Sequence, residues 1–426
     1  MGKSRVVFLF GAGAVLPWGG PSTGDLTTLV RESGFHIIDN KTTITEYIYQ
    51  CLIANNYAEG DINFETIINV IEELIVYYSN FSRDKHLPSL LKCFLSSPFE
   101  KEIFNFKVEG GEPKHGYKLQ VPIWGDYNYS DRAVHNETPE QFFLLHLLND
   151  LLSTIIGQVS KYAWHTRTHT KIDFESSNSQ AFMKWAKSFI FGNTLRLYTL
   201  NYDRVFKVLL EKAGIHLFEG FDCDESPENG EYLRADIPMI LNNEDIHTHY
   251  NLHGSANWDV GPLDHLHLPN PEIYMRAGMN LPINNKMASF QMERGKTLLV
   301  TNIITGYQKA QKTLISPFRQ MHSSFDKDCL NAAEILIIGY SFGDEHINQS
   351  IKGALRYNPN IKITIVDPGF IKNKKDELLA LEILPYRNDY PLYATTLEKD
   401  KHSFFNGAVI VYTLRFQDYL AKMTGS

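Results

Sequence analysis

Apolar residues along this chain follow two rhythms. Short stretches at Val6 to Phe10, Leu195 to Leu200, His247 to Leu252, Glu334 to Ile338 and Ile361 to Val366 read as strands, most of them rich in β-branched or aromatic residues. The unbroken apolar runs among them suit strands buried on both faces, as in a parallel sheet. Ile215 to Phe218 is a sixth, shorter candidate. Between them, apolar positions recur at spacings of three and four, the mark of a helix with one buried face. Such patterns follow Ser22 or Thr23 (Leu26, Leu29, Val30), cover Val205 to Leu210 up to Gly214, span Met321 to Ala333, and place Ile347, Ile351 and Leu355 after Asp344. The alternation predicts an α/β fold, with a doubly wound, mostly parallel Rossmann-like sheet.

A block from about residue 36 to 192 interrupts this rhythm and is mainly helical. Ile62, Phe64, Ile67, Ile68, Ile71, Leu74 and Ile75 form a core-facing stripe within 42–97, and Thr138-Pro139-Glu140 opens a strongly apolar helix over Phe142 to Val159. Another helix is expected over Ser179 to Ile190. Alternation in Ile103 to Glu109 and Tyr117 to Trp124, split by GGEPKHG, predicts a β-hairpin or extended arm near 103–124. The expected organisation is a discontinuous nucleotide-binding domain (1–35 plus 193–375), a helical insertion (36–192) and a C-terminal segment (376–426). Residues 259–295, rich in proline, asparagine and glycine, read as loop; Leu298 to Ile304 fits strand or loop equally.

Composition narrows the classes. With 426 residues, 43% hydrophobic and 21% charged, the chain can bury a large core. A formal charge of −8 disfavours unaided nucleic-acid binding, and Lys372, Lys374 and Lys375 read as a solvated turn. Cys51, Cys93, Cys223 and Cys329 form no CxxC pair, so neither a disulfide framework nor a structural zinc site is expected. No apolar run reaches the length of a membrane span and the N-terminus is a strand, so the expected location is cytoplasmic.

Candidate chemistry gathers at the carboxyl ends of the predicted strands, where open α/β sheets bind ligands. Gly11 and Gly13 follow the first strand, Asn201 and Asp203 the second, His253 and Gly254 the third, Gly339 and Ser341 the fourth, Asp367 the fifth. A GxG turn suits a diphosphate held by backbone N–H groups. The dehydrogenase fingerprint is broken, however, because Leu16 replaces its third glycine. Pro17, Gly19, Gly20 and Pro21 predict a mobile loop, with the helix starting only at Ser22 or Thr23 and carrying Asp25 in its first turn. Plainer readings stand beside these. Asn-Tyr-Asp is a common helix cap, Gly339-Tyr340-Ser341 a tight turn, Asp344 a helix N-terminal acid, and Trp18 as readily a packing residue as a pocket cover. His247 and His249 share a strand face, but no carboxylate or cysteine at suitable spacing joins them to His253, so no metal is expected.

In order, GAGAVLPWGGPSTGDL, TLNYD, NLHGSANWD and ILIIGYSFGDEHIN resemble the sirtuin-like domain of prokaryotic NAD-consuming defence proteins. The resemblance implies cleavage of the nicotinamide–ribose bond of NAD, with NAD as substrate and no metal. The paired CxxC of deacylase sirtuins is missing, and Gly19 to Asp25 lacks their Phe-Arg, so deacylation is not expected. On this reading Asn201 holds a ribose hydroxyl or orients the attacking water, and His253 is a general base toward a hydroxyl or water. Gly11, Ala12 and Gly13 face the diphosphate, Gly339 and Ser341 its other side, and Asp367 the adenosine ribose. Asp25, Asp203 and Asp344 complete the candidate binding set, Asp203 by orienting the loop or a partner. Ala14 to Ser22 becomes a flexible lid over the nicotinamide end.

The resemblance further implies a homo-oligomeric toxic effector of a bacterial anti-phage system that depletes NAD. Its trigger would be another polypeptide, a HerA-like ATPase or alternatively a short Argonaute protein, with no nucleic-acid or membrane partner of its own. Two competing readings use the same pocket: a non-catalytic nucleotide-sensing scaffold for such an ATPase, and an ADP-ribosyl transferase or cyclase.

Overall fold

A computed structural model describes residues 3–78, 94–109, 118–122, 125–128, 138–166, 168–221, 232–261, 272–276, 289–291, 299–306, 309–370 and 395–425. The Lys372–Lys375 cluster and the GGEPKHG turn lie outside these residues.

Eight strands form one sheet: β1 (Ser4–Phe10), β2 (Asn193–Thr199), β3 (Thr248–Asn251), β4 (Ala332–Ile338), β5 (Lys362–Val366), β6 (Thr395–Glu398), β7 (Lys401–Phe404) and β8 (Val409–Tyr412). Their order is β6-β7-β8-β5-β4-β1-β2-β3. From β8 to β3 every pairing is parallel; β7 and β6 extend the edge antiparallel. The α/β class and the mostly parallel sheet are therefore as expected. β1 is central, and its side chains alternate between two cores: Val6, Phe8 and Phe10 enter one, Val7 and Leu9 the other. An unbroken apolar run is what a strand covered on both faces requires.

The core holding Phe8 and Phe10 is covered by α1 (Thr23–Arg31), α2 (Ile44–Ala54), α3 (Phe64–Tyr77), α4 (Ser97–Ile103), α5 (Pro139–Ala163), α6 (Ser177–Lys187) and α7 (Val205–Lys212). The opposite core is covered by α8 (Ile237–Asn242), α9 (Phe318–Asn331) and α10 (Glu345–Tyr357), while α11 (Phe416–Thr424) returns to the first face beside α6. By length and composition α5 is apolar enough to cross a membrane, contrary to the expectation that no segment would be. Its Phe143, Leu147, Leu151 and Ile155 are buried, and the helix packs on α3.

Several short elements depart from the sequence reading. Residues 259–295 are not all loop: Trp258–Gly261 and Glu272–Arg276 pair antiparallel, with Tyr232–Arg234 on the other side of the latter, and Ser289–Gln291 pairs with Leu299–Thr301. Trp258, Val260, Ile273 and Met275 bury one face, a three- or four-residue alternation hidden among turn-forming residues. Ile215 to Phe218 contributes only an isolated bridge from Phe218 to Thr248. The expected hairpin is a three-stranded antiparallel arm (Lys107–Glu109, Lys118–Val121, Gly125–Asn128), and Ile103 ends α4 instead of opening it. The segment 376–426 supplies three strands and a helix to the main sheet and its cover.

Candidate active site

From β1 the chain passes to β2 and β3 on one side, then crosses back to β4 and β5 on the other. The order reverses between β1 and β4, the place where open α/β sheets leave a crevice beyond their strand ends. A cavity of about 490 Å³ opens there. Gly11, Ala12 and Gly13, then Asn201, His253, Gly339, Ser341, Asp344 and Asp367 all line it, so nine of the eleven residues singled out from sequence meet in one wall. Asp25 and Asp203 do not line it.

The floor is backbone against backbone. A Cβ on Gly11 would stand 2.4 Å from the Gly339 carbonyl oxygen, and one on Gly339, whose φ is +60°, would stand 2.4 Å from Ala14 N. The glycines are therefore dictated by the contact between two turns, whatever ligand lies above them. The same contact uses up backbone donors. Gly11 N–H donates to Ile338 O (2.9 Å) and Gly13 N–H to Gly339 O (3.0 Å), leaving Ala12 N–H as the donor of this turn without a protein acceptor among the described residues.

The stretch after Gly11 is neither coil nor a separate lid. A helical turn begins at once, Ala12–Val15, followed by a 3-10 turn, Leu16–Trp18. Pro17 fits the start of that second turn, where its missing N–H is no loss. Trp18 is a packing residue: its Nε1–H donates to Ser179 Oγ at 2.9 Å, and its ring meets Phe182 and Phe206 edge-on. α1 then starts as expected. Ser22 and Asp25 form a reciprocal capping box, with Asp25 N–H donating to Ser22 Oγ and Asp25 Oδ2 accepting from Ser22 N–H at 2.8 Å. The Asp25 carboxylate serves the helix start, and its pKa is held low by the Ser22 hydroxyl, which donates to Oδ2 at 2.6 Å, and then by the Ser22 N–H.

Asn201 Nδ2 donates to Gly11 O at 3.0 Å, tying the end of β2 to the end of β1. Behind it, Asn251 Nδ2 donates to the carbonyl oxygens of Asn201 and Asp203, both at 2.9 Å. Asp203 accepts from Val205 N–H (2.9 Å) and the Tyr162 hydroxyl (2.8 Å), so it caps α7 and anchors α5. Burial raises its pKa. Tyr162 of the insertion lines the cavity with Ile155 and Val159, giving it an apolar side.

His253 is 3% exposed, and its Nε2 has no hydrogen-bond partner among the described residues. Its backbone is clasped by the segment 301–305, with Ile304 N–H donating to His253 O at 2.7 Å. The adjoining Gly254 has φ +83°, and a Cβ there would meet Asn302 O at 2.2 Å. Burial, then the charge of Lys309, push the imidazole well below its ordinary pKa, so the ring is neutral at physiological pH. Asp344 Oδ2 lies 3.8 Å from His253 Nε2, and its Oδ1 lies 2.7 Å from Lys309 Nζ. Burial alone would raise Asp344, but His253 and Lys309 hold it at about 2.

Lys309, Glu65 and Tyr162 belong to this wall, and sequence reasoning did not find them. Lys309 sits in no periodic element long enough to read, Glu65 is one acid in the first turn of an apolar helix, and Tyr162 stands near the end of another. His247 precedes β3 and does not share a strand with His249: its Nδ1 accepts from Leu195 N–H at 2.9 Å, while His249 is buried with no partner at either ring nitrogen among the described residues. Among the described residues no group of three or more His, Cys, Asp or Glu side chains could hold a metal ion.

Residues 196–385 match the family model described as SIR2-like domain, a stretch that contains Asn201, His253, Gly339, Asp344 and Asp367 but not the first turn. Over that stretch the chain is similar to SIR2-like domains. A solved structure titled "The Structural basis of Sirtuin Substrate Affinity" aligns over 99% of this chain and 94% of its own, with 11% identity and a TM-score of 0.37. No curated protein matches.

Proposed function

We propose that this cavity binds NAD and that the chain hydrolyses the nicotinamide–ribose bond, releasing nicotinamide and ADP-ribose. The observation that carries the reading is the meeting of Asn201, a buried and unpartnered His253 nitrogen, and the paired glycine turns in one cavity at the sheet's switch point. The SIR2-like match over 196–385 supports NAD as the ligand class.

The chemistry asks little of an acid. Breaking the C1′–N bond returns an electron pair to a cationic pyridinium, so nicotinamide leaves neutral. The ribose carbon acquires oxocarbenium character, and water adds to it while losing one proton. A neutral imidazole can accept that proton, directly or through a ribose hydroxyl, and His253 is held neutral. Asn201, fixed through Nδ2 to Gly11 O, keeps its Oδ1 to orient a hydroxyl or water. The Ala12 N–H and the first turn of α1, bordering the cavity at Ser22, Thr23 and Gly24, offer donors to a diphosphate. Ser341 and Asp367 stand on the β4–β5 side, where the adenosine half would lie.

Purified chain incubated with NAD tests this by following NAD loss, nicotinamide release and the fate of ADP-ribose. Free ADP-ribose supports hydrolysis; a cyclic or protein-linked product would replace it with cyclisation or transfer, and no turnover alone or with its partner would overturn it. On the motif resemblance we extend the proposal to an NAD-depleting effector of anti-phage defence, homo-oligomeric and triggered by a HerA-like ATPase or a short Argonaute protein. Co-purification with each candidate partner, followed by assay of the complex, checks that extension.

A further inference from the structure

We propose that Lys309, gripped between Glu65 of α3 and Asp344 at the head of α10, is a positioning residue that holds the Asp344 carboxylate at the edge of His253. The kinetic part of the proposal rests on the NAD-cleavage reading; the contact itself does not. Lys309 Nζ lies 2.7 Å from Asp344 Oδ1 and 3.0 and 3.2 Å from the two oxygens of Glu65. The other Asp344 oxygen lies 3.8 Å from His253 Nε2. That is too long for a hydrogen bond, so the buried ring nitrogen and the carboxylate stand side by side without bonding, and a hydroxyl or water can reach both only from the cavity side.

Three features separate this clasp from an ordinary stabilising ion pair. Glu65, Lys309 and Asp344 all line the cavity with His253. Their carriers are remote in sequence: α3 belongs to the helical insertion, Asp344 to the β4–α10 turn, and Lys309 follows the segment that clasps the His253 backbone. Finally, the clasp is half-buried, with 17% of the Lys309 side chain, 16% of Asp344 and 27% of Glu65 exposed, where charge acts more strongly than on the open surface. Besides lining the cavity at Ile155, Val159 and Tyr162, the insertion thus touches Asp344 indirectly, through the ammonium group that Glu65 holds.

The charged groups around His253 fix the sign of the effect. Lys309 repels a proton on its ring, as do His346 near the head of α10 and His322 on α9, while among the described residues Asp344 attracts one. Glu65 acts only through Lys309, by compensating its charge. Removing the ammonium should therefore raise the titration midpoint of His253, while removing the Glu65 charge should lower it.

The test uses the full chain with labelled histidine, and compares Lys309→Met, Lys309→Arg and Glu65→Gln. The His253 imidazole signal is assigned by its loss in His253→Gln. In Lys309→Met the midpoint should rise by about one pH unit, and the acid limb of nicotinamide release should move with it. The kcat should fall about tenfold or more, with KM for NAD little changed, and Lys309→Arg should restore both. An unchanged midpoint in folded Lys309→Met overturns the proposal, and so does a change in KM alone, which would make Lys309 a substrate contact. If Lys309→Met does not fold, Lys309→Arg and the opposite shift in Glu65→Gln decide the matter. Absence of NAD turnover in the wild type would sink the proposed function, yet the imidazole midpoints would still decide the clasp.

Discussion

The Asn201 side chain donates from Nδ2 to the carbonyl oxygen of Gly11 at 3.0 Å, across 190 residues of sequence. One amide thus joins the ends of β1 and β2 while lining the cavity. Asn201→Ala should lower kcat for nicotinamide release by about 10²-fold or more, the cost of losing one positioned polar group in a closed site. Stability should fall by only about 1 kcal/mol. Steady-state kinetics and denaturant unfolding check the two parts separately, and a wild-type rate would remove Asn201 from the mechanism.

Gly339 has a backbone that a side chain cannot share. Its φ of +60° and the 2.4 Å approach to Ala14 N mean that Gly339→Ala must push the β1 and β4 turns apart. We expect loss of ADP-ribose binding, by calorimetry, together with a lower melting temperature. The neighbouring exposed Ser341→Ala should leave melting unchanged, because nothing there is crowded.

His249 is buried beside β2, and burial, ahead of the opposing Glu219 charge, lowers its pKa to about 4. The sign follows from proton counts. Below the unfolded-chain value of about 6.5 the unfolded state binds a proton that the fold refuses, so stability falls with pH between about 6.5 and 4. His249→Leu removes this penalty. Its stability relative to wild type should improve by about 2 kcal/mol between pH 7.5 and pH 5, measured by urea unfolding at both pH values; a constant difference would mean that the ring is not buried neutral.

Lys312 and Glu72 form a second strut between the segment after Leu299–Thr301 and α3, at 2.6 Å and buried on both sides. Lys312 also donates to Thr305 O at 2.7 Å. Lys312→Met should cost about 3–5 kcal/mol, because a buried carboxylate loses its counter-charge. Adding Glu72→Leu should recover most of that loss, and thermal unfolding of single and double variants reads the difference. Full additivity of the two losses would contradict the pairing.

The parallel sheet was legible because a strand covered on both faces needs a run such as Val6 to Phe10, and few other structures tolerate one. Strand ends then pointed to Gly11, Asn201, His253 and Gly339 before any tertiary contact was known. The short antiparallel strands around Trp258 and Tyr274 escaped notice, since three or four alternating residues among prolines and asparagines carry almost no periodic signal. The first loop misled for another reason: Pro17 and Gly19 are turn formers, and they do form turns, but helical ones fixed by the Trp18 contact with Ser179. Asp25 and Asp203 had the right residue type in the right place, yet each spends its carboxylate on a helix start. Lys309 could not be found at all from sequence, because its meaning lies in Glu65 and Asp344, which only folding brings beside it.

The contact between Gly11 and Gly339 also has a meaning in time. β1 is synthesised well before β4, and it becomes an inner strand flanked on both sides only when β4 arrives to lie beside it. A ribosome part-way through the chain holds a β1 turn with no opposing turn to close on, hence no cavity floor. Whatever this cavity does to its ligand therefore waits until β4 has cleared the exit tunnel and folded beside β1.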